Sequence, residues 1–217
     1  MNAGNNARWK WRMSMGIPVM ILGESGTGKS ASLRNFSQDE IGVINVCGKP
    51  LPFRNQIKDL KTDNYMAIEK ALKASSKKAA VIDDCQYLMA NEYMRQAKVT
   101  GYQKFTDIAQ NFWMLVQVVI RELPEDVIVY FLGHIERDQN GNEKFKTIGK
   151  MLDEKITVEG MFTVVLKTSI QDGRYLFSTR NSGNDTVKSP IGLFDEPYID
   201  NDLKAVDTAI REYYEIK

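Results

Sequence analysis

The stretch Ile17-Pro18-Val19-Met20-Ile21-Leu22-Gly23-Glu24-Ser25-Gly26-Thr27-Gly28-Lys29-Ser30 decides how the rest of the chain is read. Its apolar start, Ile17–Leu22, has the unbroken hydrophobicity of a strand buried on both faces. Gly23–Ser30 then fits GxxxxGK[ST] completely, between that strand and a short helical pattern over Lys29–Phe36. The glycines let the backbone curl so that its N–H groups face a phosphate at the positive end of a helix. Lys29 can reach the β- and γ-phosphates, and the Ser30 hydroxyl can ligate Mg²⁺. The bland alternative, a chance glycine-rich turn, rarely meets both the full pattern and the strand–loop–helix context. Gly23, Glu24, Ser25, Gly26, Thr27, Gly28, Lys29, Ser30 and Ala31 are therefore the expected nucleotide contacts.

Outward from this loop the chain alternates strand and helix. Further strands are expected at Ile41–Cys47, Ala79–Asp84 and Val127–Gly133. Helices are expected at Tyr65–Ser75 and at Phe105–Leu123, where Pro124 stops the periodicity. Met161–Ile170 and Arg174–Arg180 alternate around Gln171-Asp172-Gly173, a hairpin signal, and Leu203–Tyr214 reads as a last helix. This order predicts an α/β fold, a mainly parallel sheet flanked by helices and ending in an antiparallel hairpin. Residues 1–15 are expected to form a basic-aromatic tail, and residues 16–217 one domain.

A nucleotide site also needs an acidic strand end. In Ala79-Ala80-Val81-Ile82-Asp83-Asp84, Asp83 is expected to hold Mg²⁺ through a water. Asp84 either orients the attacking water or simply caps the next segment. His134, the only histidine, is expected just after the fourth strand, where a polar residue can touch a γ-phosphate; the alternative is an ordinary packed histidine. One histidine and two separated cysteines make no zinc spacing. No NKxD guanine signature occurs, so ATP is the expected nucleotide.

The phosphate loop, the Ile82-Asp83-Asp84 strand end and the polar residue after the next strand resemble the RecA core fold. The tail Arg180–Phe194 (RNSGNDTVKSPIGLF) resembles the short RecA-like P-loop ATPases of bacteriophages, a group linked to single-strand annealing recombination. The resemblance spans about residues 16–194. It implies an oligomeric, Mg²⁺-dependent ATPase acting on single-stranded DNA in phage recombination or replication. It also implies self-association as a ring or filament, with other phage recombination or replication proteins as candidate partners. One departure stands out: RecA proteins carry a catalytic glutamate just after the second core strand, where this chain has Cys47-Gly48-Lys49. That shifts the expected water-orienting role to Asp84. The resemblance further places cations at the turn after the hairpin, so Arg180 or Lys188 is expected to complete a neighbour's site in trans, against the alternative of a plain exposed pair.

If DNA binds, it should meet the segments after the third and fourth strands. Gln86–Lys104 carries Tyr87, Tyr93, Arg95, Lys98, Tyr102 and Lys104; Glu136–Lys155 carries Arg137, Lys144, Phe145, Lys146, Lys150 and Lys155. Basic groups pair with phosphates while aromatics stack on bases. Charge-mixed surface loops are the competing reading, since the second segment also holds Glu136, Asp138, Glu143, Asp153 and Glu154. Arg8-Trp9-Lys10-Trp11-Arg12 is a third basic-aromatic cluster, suited to nucleic acid or to a neighbouring subunit.

Composition bounds these readings. At 43% apolar and 26% charged residues the chain can fill a core, which excludes disordered, collagenous and coiled-coil classes. Lys and Arg nearly balance Asp and Glu, 29 against 28, so any nucleic-acid surface must be local. No apolar run approaches the roughly 20 residues of a membrane span, and the N-terminus lacks a secretory h-region. Cys47 and Cys85 are expected as reduced thiols of a cytoplasmic protein, in the host cytoplasm if the gene is a phage's. Two other classes use a P-loop on a parallel sheet: a small-molecule or nucleoside kinase, and an AAA+ loader or assembly ATPase. The scattered arginines after the fourth strand make no kinase lid, and the terminal hairpin with one helix makes no AAA+ lid domain.

Overall fold

A computed structural model describes residues 15–54 and 57–216. The basic-aromatic cluster at residues 8–12 lies outside them. Among the described residues nine strands form the sheet, in the order β3-β2-β4-β5-β1-β7-β8-β9, with β6 added to β5. The strands are β1 (Ile17–Gly23), β2 (Ile41–Asn45), β3 (Asp59–Lys61), β4 (Ala79–Asp83), β5 (Ile128–Arg137), β6 (Glu143–Phe145), β7 (Val164–Gln171), β8 (Arg174–Ser178) and β9 (Tyr198–Asp200). From β3 through β7 the neighbours along this order run parallel; β8 and β9 join antiparallel.

Among the described residues the α-helices are α1 (Tyr65–Ala74), α2 (Gln86–Arg95), α3 (Gln103–Glu122) and α4 (Leu203–Tyr213). Alternation along the strands sorts the core into two faces. Met20, Leu22, Ile82 and Phe131 pack with Ile68 and Leu72 of α1, Leu88 of α2 and Phe112, Leu115 and Val119 of α3. Val19, Ile21, Val81 and Tyr130 face the other way, against Leu33 and the α4 residues Leu203, Val206 and Ile210. Caps and polar ties fix the helices. Asn64 accepts from the Ala67 N–H at the start of α1, and Asp202 accepts from Lys204 and Ala205 at the start of α4. Tyr130, fully buried in β5, donates its hydroxyl to Asp207 at 2.8 Å, which anchors α4 on the sheet.

The layered parallel sheet and the hairpin match the sequence reading, with four refinements. The helix expected at Lys29–Phe36 forms as a short 3-10 turn, Ser30–Asn35. The segment expected as a loop after β4 is largely α2, and β3, β6 and β9 are strands too short to show a period. The hairpin β7–β8 lies against the phosphate-loop strand itself, with Val19 opposite Val164 and Leu22 opposite Lys167, while β9 takes the sheet edge. Finally, β4 is not hydrogen-bonded to β1: β5 lies between them. Among the described residues, no helix is long and apolar enough to cross a membrane.

Candidate functional site

The carboxyl ends of β1 and β4 lie at one end of the sheet, level with His134 of β5, the side where ligands usually enter the crevice of a parallel α/β sheet. Gly23 ends β1 and is in register with His134 of β5. A Cβ at Gly23 would sit 1.8 Å from Thr168 Oγ1, so only glycine allows β7 to approach the loop this closely. Gly28 adopts φ +99°, in the left-handed region glycine reaches without cost. Thr27 ties the turn together: its hydroxyl donates to the Glu24 carbonyl at 2.7 Å and meets Thr168 Oγ1 at 2.5 Å.

Lys29 is folded into its own loop. Its ammonium donates to the carbonyls of Gly23 (2.9 Å) and Glu24 (2.7 Å) and is almost entirely buried. Burial lowers its pKa, against the opposing pull of Asp84 and Asp83. Ser30 donates its hydroxyl to Asp83 Oδ1 at 2.8 Å, which joins the loop to the end of β4. Burial pushes the Asp83 carboxyl up to about 6, in spite of that hydrogen bond. A buried carboxylate beside a hydroxyl is a hard-oxygen pair suited to Mg²⁺, which binds few protein ligands and keeps waters and substrate phosphates as the rest. No group of three or more His, Cys, Asp or Glu side chains forms a metal cage among the described residues. Ser30 and Asp83 are the side chains here that could hold such an ion.

Asp84 is held differently from its neighbour. Its backbone is left-handed, φ +59°, a conformation Asp tolerates better than most residues. His134 Nε2 lies 3.3 Å from Asp84 Oδ1, and Lys49 Nζ lies 3.3 Å from Asp84 Oδ2. Burial raises the Asp84 pKa, but the His134 hydrogen bond and the Lys49 charge outweigh it and hold the carboxyl at about 2. Thus adjacent carboxyls are driven apart by their surroundings, the pattern that separates acid–base roles at reaction centres. His134 lies within β5 rather than after it, and its backbone N–H donates to Gln86 Oε1. Its ring meets Tyr87 edge-on, with centroids 6.2 Å apart. Asp84 also precedes α2, but the cap residue of that helix is Cys85, without a side-chain cap bond.

Lys49 is the participant that sequence reading passed over, because it belongs to neither the phosphate loop nor an acidic strand end. Its signal was its position, just after β2 where the resembling family carries glutamate. Beside it, burial and the Asp84 charge push the Cys47 thiol up to about 11. Cys47 and Cys85 are both free thiols.

The remaining candidates lie elsewhere. Arg180 follows β8, and its guanidinium donates to the Asp195 carbonyl. Lys188 bridges Val165, a residue opposite Met20 in the middle of β1. Both are exposed, and both lie back along the sheet from the phosphate loop, whereas the hairpin tip at Asp172-Gly173 projects past it.

The second DNA segment is more committed than its sequence suggests. Phe145 is only 1% exposed and stacks on Phe112 in the core, so it offers no face to a base. Lys144 pairs with Asp153 and Glu136, Lys150 with Glu154, and Arg137 with Glu24 and Glu143. In the first segment Arg95 pairs with Asp63, and Tyr93 packs on Phe105 under Lys104. Tyr102, 89% exposed, stands out at the α2–α3 connection with the exposed Lys98. No protein-family model matches the chain, and a search of curated proteins finds no relative.

Proposed function

We propose that this chain is an ATPase of the RecA-like P-loop type, with Mg²⁺-bound ATP held by Gly23–Ala31. One observation carries the reading: Ser30 of the phosphate loop is hydrogen-bonded to Asp83 at the acidic strand end, with Lys29 folded against the same loop and Asp84 next in sequence. Further support comes from the sheet, which brings the loop, the Asp83-Asp84 pair and His134 to the same end.

In this reading the Lys29 ammonium exchanges its loop carbonyls for the β- and γ-phosphates. Mg²⁺ bound with the nucleotide neutralises phosphate charge, with Ser30 as ligand and Asp83 behind it. Such an ion would add to the counter-charge that Lys29 lends to buried Asp83. Asp84 orients a water against the γ-phosphorus. As the water oxygen bonds to phosphorus, the bond to the β–γ bridging oxygen breaks and its electron pair leaves on ADP. The water proton passes through Asp84, and ADP and inorganic phosphate leave. His134 holds Asp84 from one side and, being level with Gly23, is placed to register the γ-phosphate.

Action on single-stranded DNA as a ring or filament extends this reading. Its best support is the α2–α3 connection, where an exposed aromatic and an exposed cation stand together, the combination that tracks a strand without reading sequence. The test is nucleotide binding by titration calorimetry and phosphate release, each with and without single-stranded DNA. ATP binding that needs Mg²⁺, with turnover stimulated by DNA, supports the reading. Absence of ATP binding sinks it.

A further inference from the structure

We infer that Lys49 is the transition-state cation of this centre, supplied in cis: it holds Asp84 before nucleotide arrives and turns to the γ-phosphate when it does. The inference rests on the ATPase reading and adds a residue to it. Three observations carry it. The Cys47–Lys49 turn is built in place, since Asn45, in register with Asp83, donates its side-chain amide to the Lys49 carbonyl at 2.6 Å. The ammonium lies 3.3 Å from Asp84 and 5.4 Å from the centroid of Tyr87, the ring that also meets His134. Asp84, which it contacts, directly follows Asp83, the residue that accepts from Ser30 of the phosphate loop.

Lys49 also has freedom to move. Its side chain is 66% exposed, and an exposed ion pair to one carboxylate is a weak tether. The neighbouring guanidiniums are committed, Arg137 to Glu24 and Glu143, and Arg34 to the carbonyls of Ala31 and Asn201. A γ-phosphate carries more negative charge than Asp84 and competes for the ammonium. Its departure releases Asp84 to receive the water proton, while the cation offsets charge on the phosphoryl oxygens.

The experiment uses the full chain with Lys49→Met, which keeps most of the stem and removes the charge, and Lys49→Arg, which keeps the charge. Lys49→Met should bind ATP within a few-fold of wild type but lose turnover by about 10³-fold, the lower end for a transition-state cation. It should also fail to trap ADP with aluminium fluoride, a readout that a purely structural role leaves unchanged. Lys49→Arg should recover part of both. Mixing Lys49→Met with Lys29→Ala chains should restore nothing, because an intact loop and an intact Lys49 then never share a chain. Wild-type turnover and trapping by Lys49→Met, or recovery in the mixture, overturns the inference while leaving the ATPase reading intact. A wild-type chain that fails to bind ATP brings down the ATPase reading itself, and this inference with it.

Discussion

The crevice at the ends of β1, β4 and β5 and the turn after β8 are both rich in polar residues, yet they hold them in opposite ways. At the turn, Asp185 accepts from the backbone N–H groups of Ser182 and Val187, from the Ser182 hydroxyl and from Lys167. Asn181 donates to the Asp185 carbonyl, so the Asn181–Val187 stretch caps itself. In the crevice, Asp83 is buried beside a single hydroxyl with its pKa raised, and an exposed lysine rests on Asp84. Polar groups that satisfy one another build a scaffold; groups left perturbed or exchangeable await a ligand. The more distinctive sequence stretch, Arg180–Phe194, is thus the more internally satisfied of the two, and the common loop motif the one with exchangeable contacts.

Breaking the crevice should have the largest effects. Lys29→Ala should reduce ATP hydrolysis to background, measured as phosphate release, since its ammonium is the group that exchanges onto phosphate. Asp84→Asn should keep ATP binding but slow hydrolysis by about 10²-fold, the scale of a lost general base. Equal rates for wild type and Asp84→Asn would remove that residue from the mechanism. By contrast, Arg180→Ala and Lys188→Ala should leave ATP affinity within about threefold, as ordinary surface substitutions do. Mixing either with Lys29→Ala chains asks whether these cations serve a neighbour. If each is inactive alone and the mixture regains turnover, the turn region joins the reaction centre of the next protomer.

Smaller effects sharpen the contrast. Tyr102→Ala with Lys98→Ala should weaken single-strand binding by about tenfold in fluorescence anisotropy, since loss of a stacking platform costs about 1–3 kcal/mol. Lys144→Ala should change little, its charge being already spent on Asp153 and Glu136. The smallest effect concerns stability. The Asp83 pKa is raised to about 6 in the fold, so ionisation destabilises the nucleotide-free protein as pH rises through that value. Asp83→Asn should therefore melt a few degrees above wild type at pH 8, with the gap closing as pH falls below 6. Saturating Mg²⁺–ATP should reverse the order, because the variant loses the charge that the ion uses.

Much of this was legible in the chain because the parallel strands carry continuous apolar runs and the loop motif has fixed spacing. The residues that line the crevice from β1 and β4 could be named from those signals. Lys49 was marked only by standing where the resembling family carries glutamate; its place beside Asp84 follows from β2 lying next to β4, a topological fact that no local pattern encodes. The hairpin was recognisable, but not its pairing with β1, which requires the chain to cross from β5 to the opposite side of the phosphate-loop strand. Phe145 read as a loop aromatic because three-residue β6 has no visible period, and only its packing on Phe112 reveals a core residue. Lys144 and Lys150 could be read either way, because Glu136, Asp153 and Glu154 share their segment and only the fold pairs them.

The most direct test of the central claim is phosphate release from ATP by the wild-type chain at neutral pH, with Mg²⁺ and then with excess chelator, beside Lys29→Ala. The account predicts turnover with Mg²⁺, none with chelator, and none from Lys29→Ala under either condition. Turnover that persists in Lys29→Ala, or a wild-type chain that neither binds nor hydrolyses ATP with Mg²⁺ present, would contradict it.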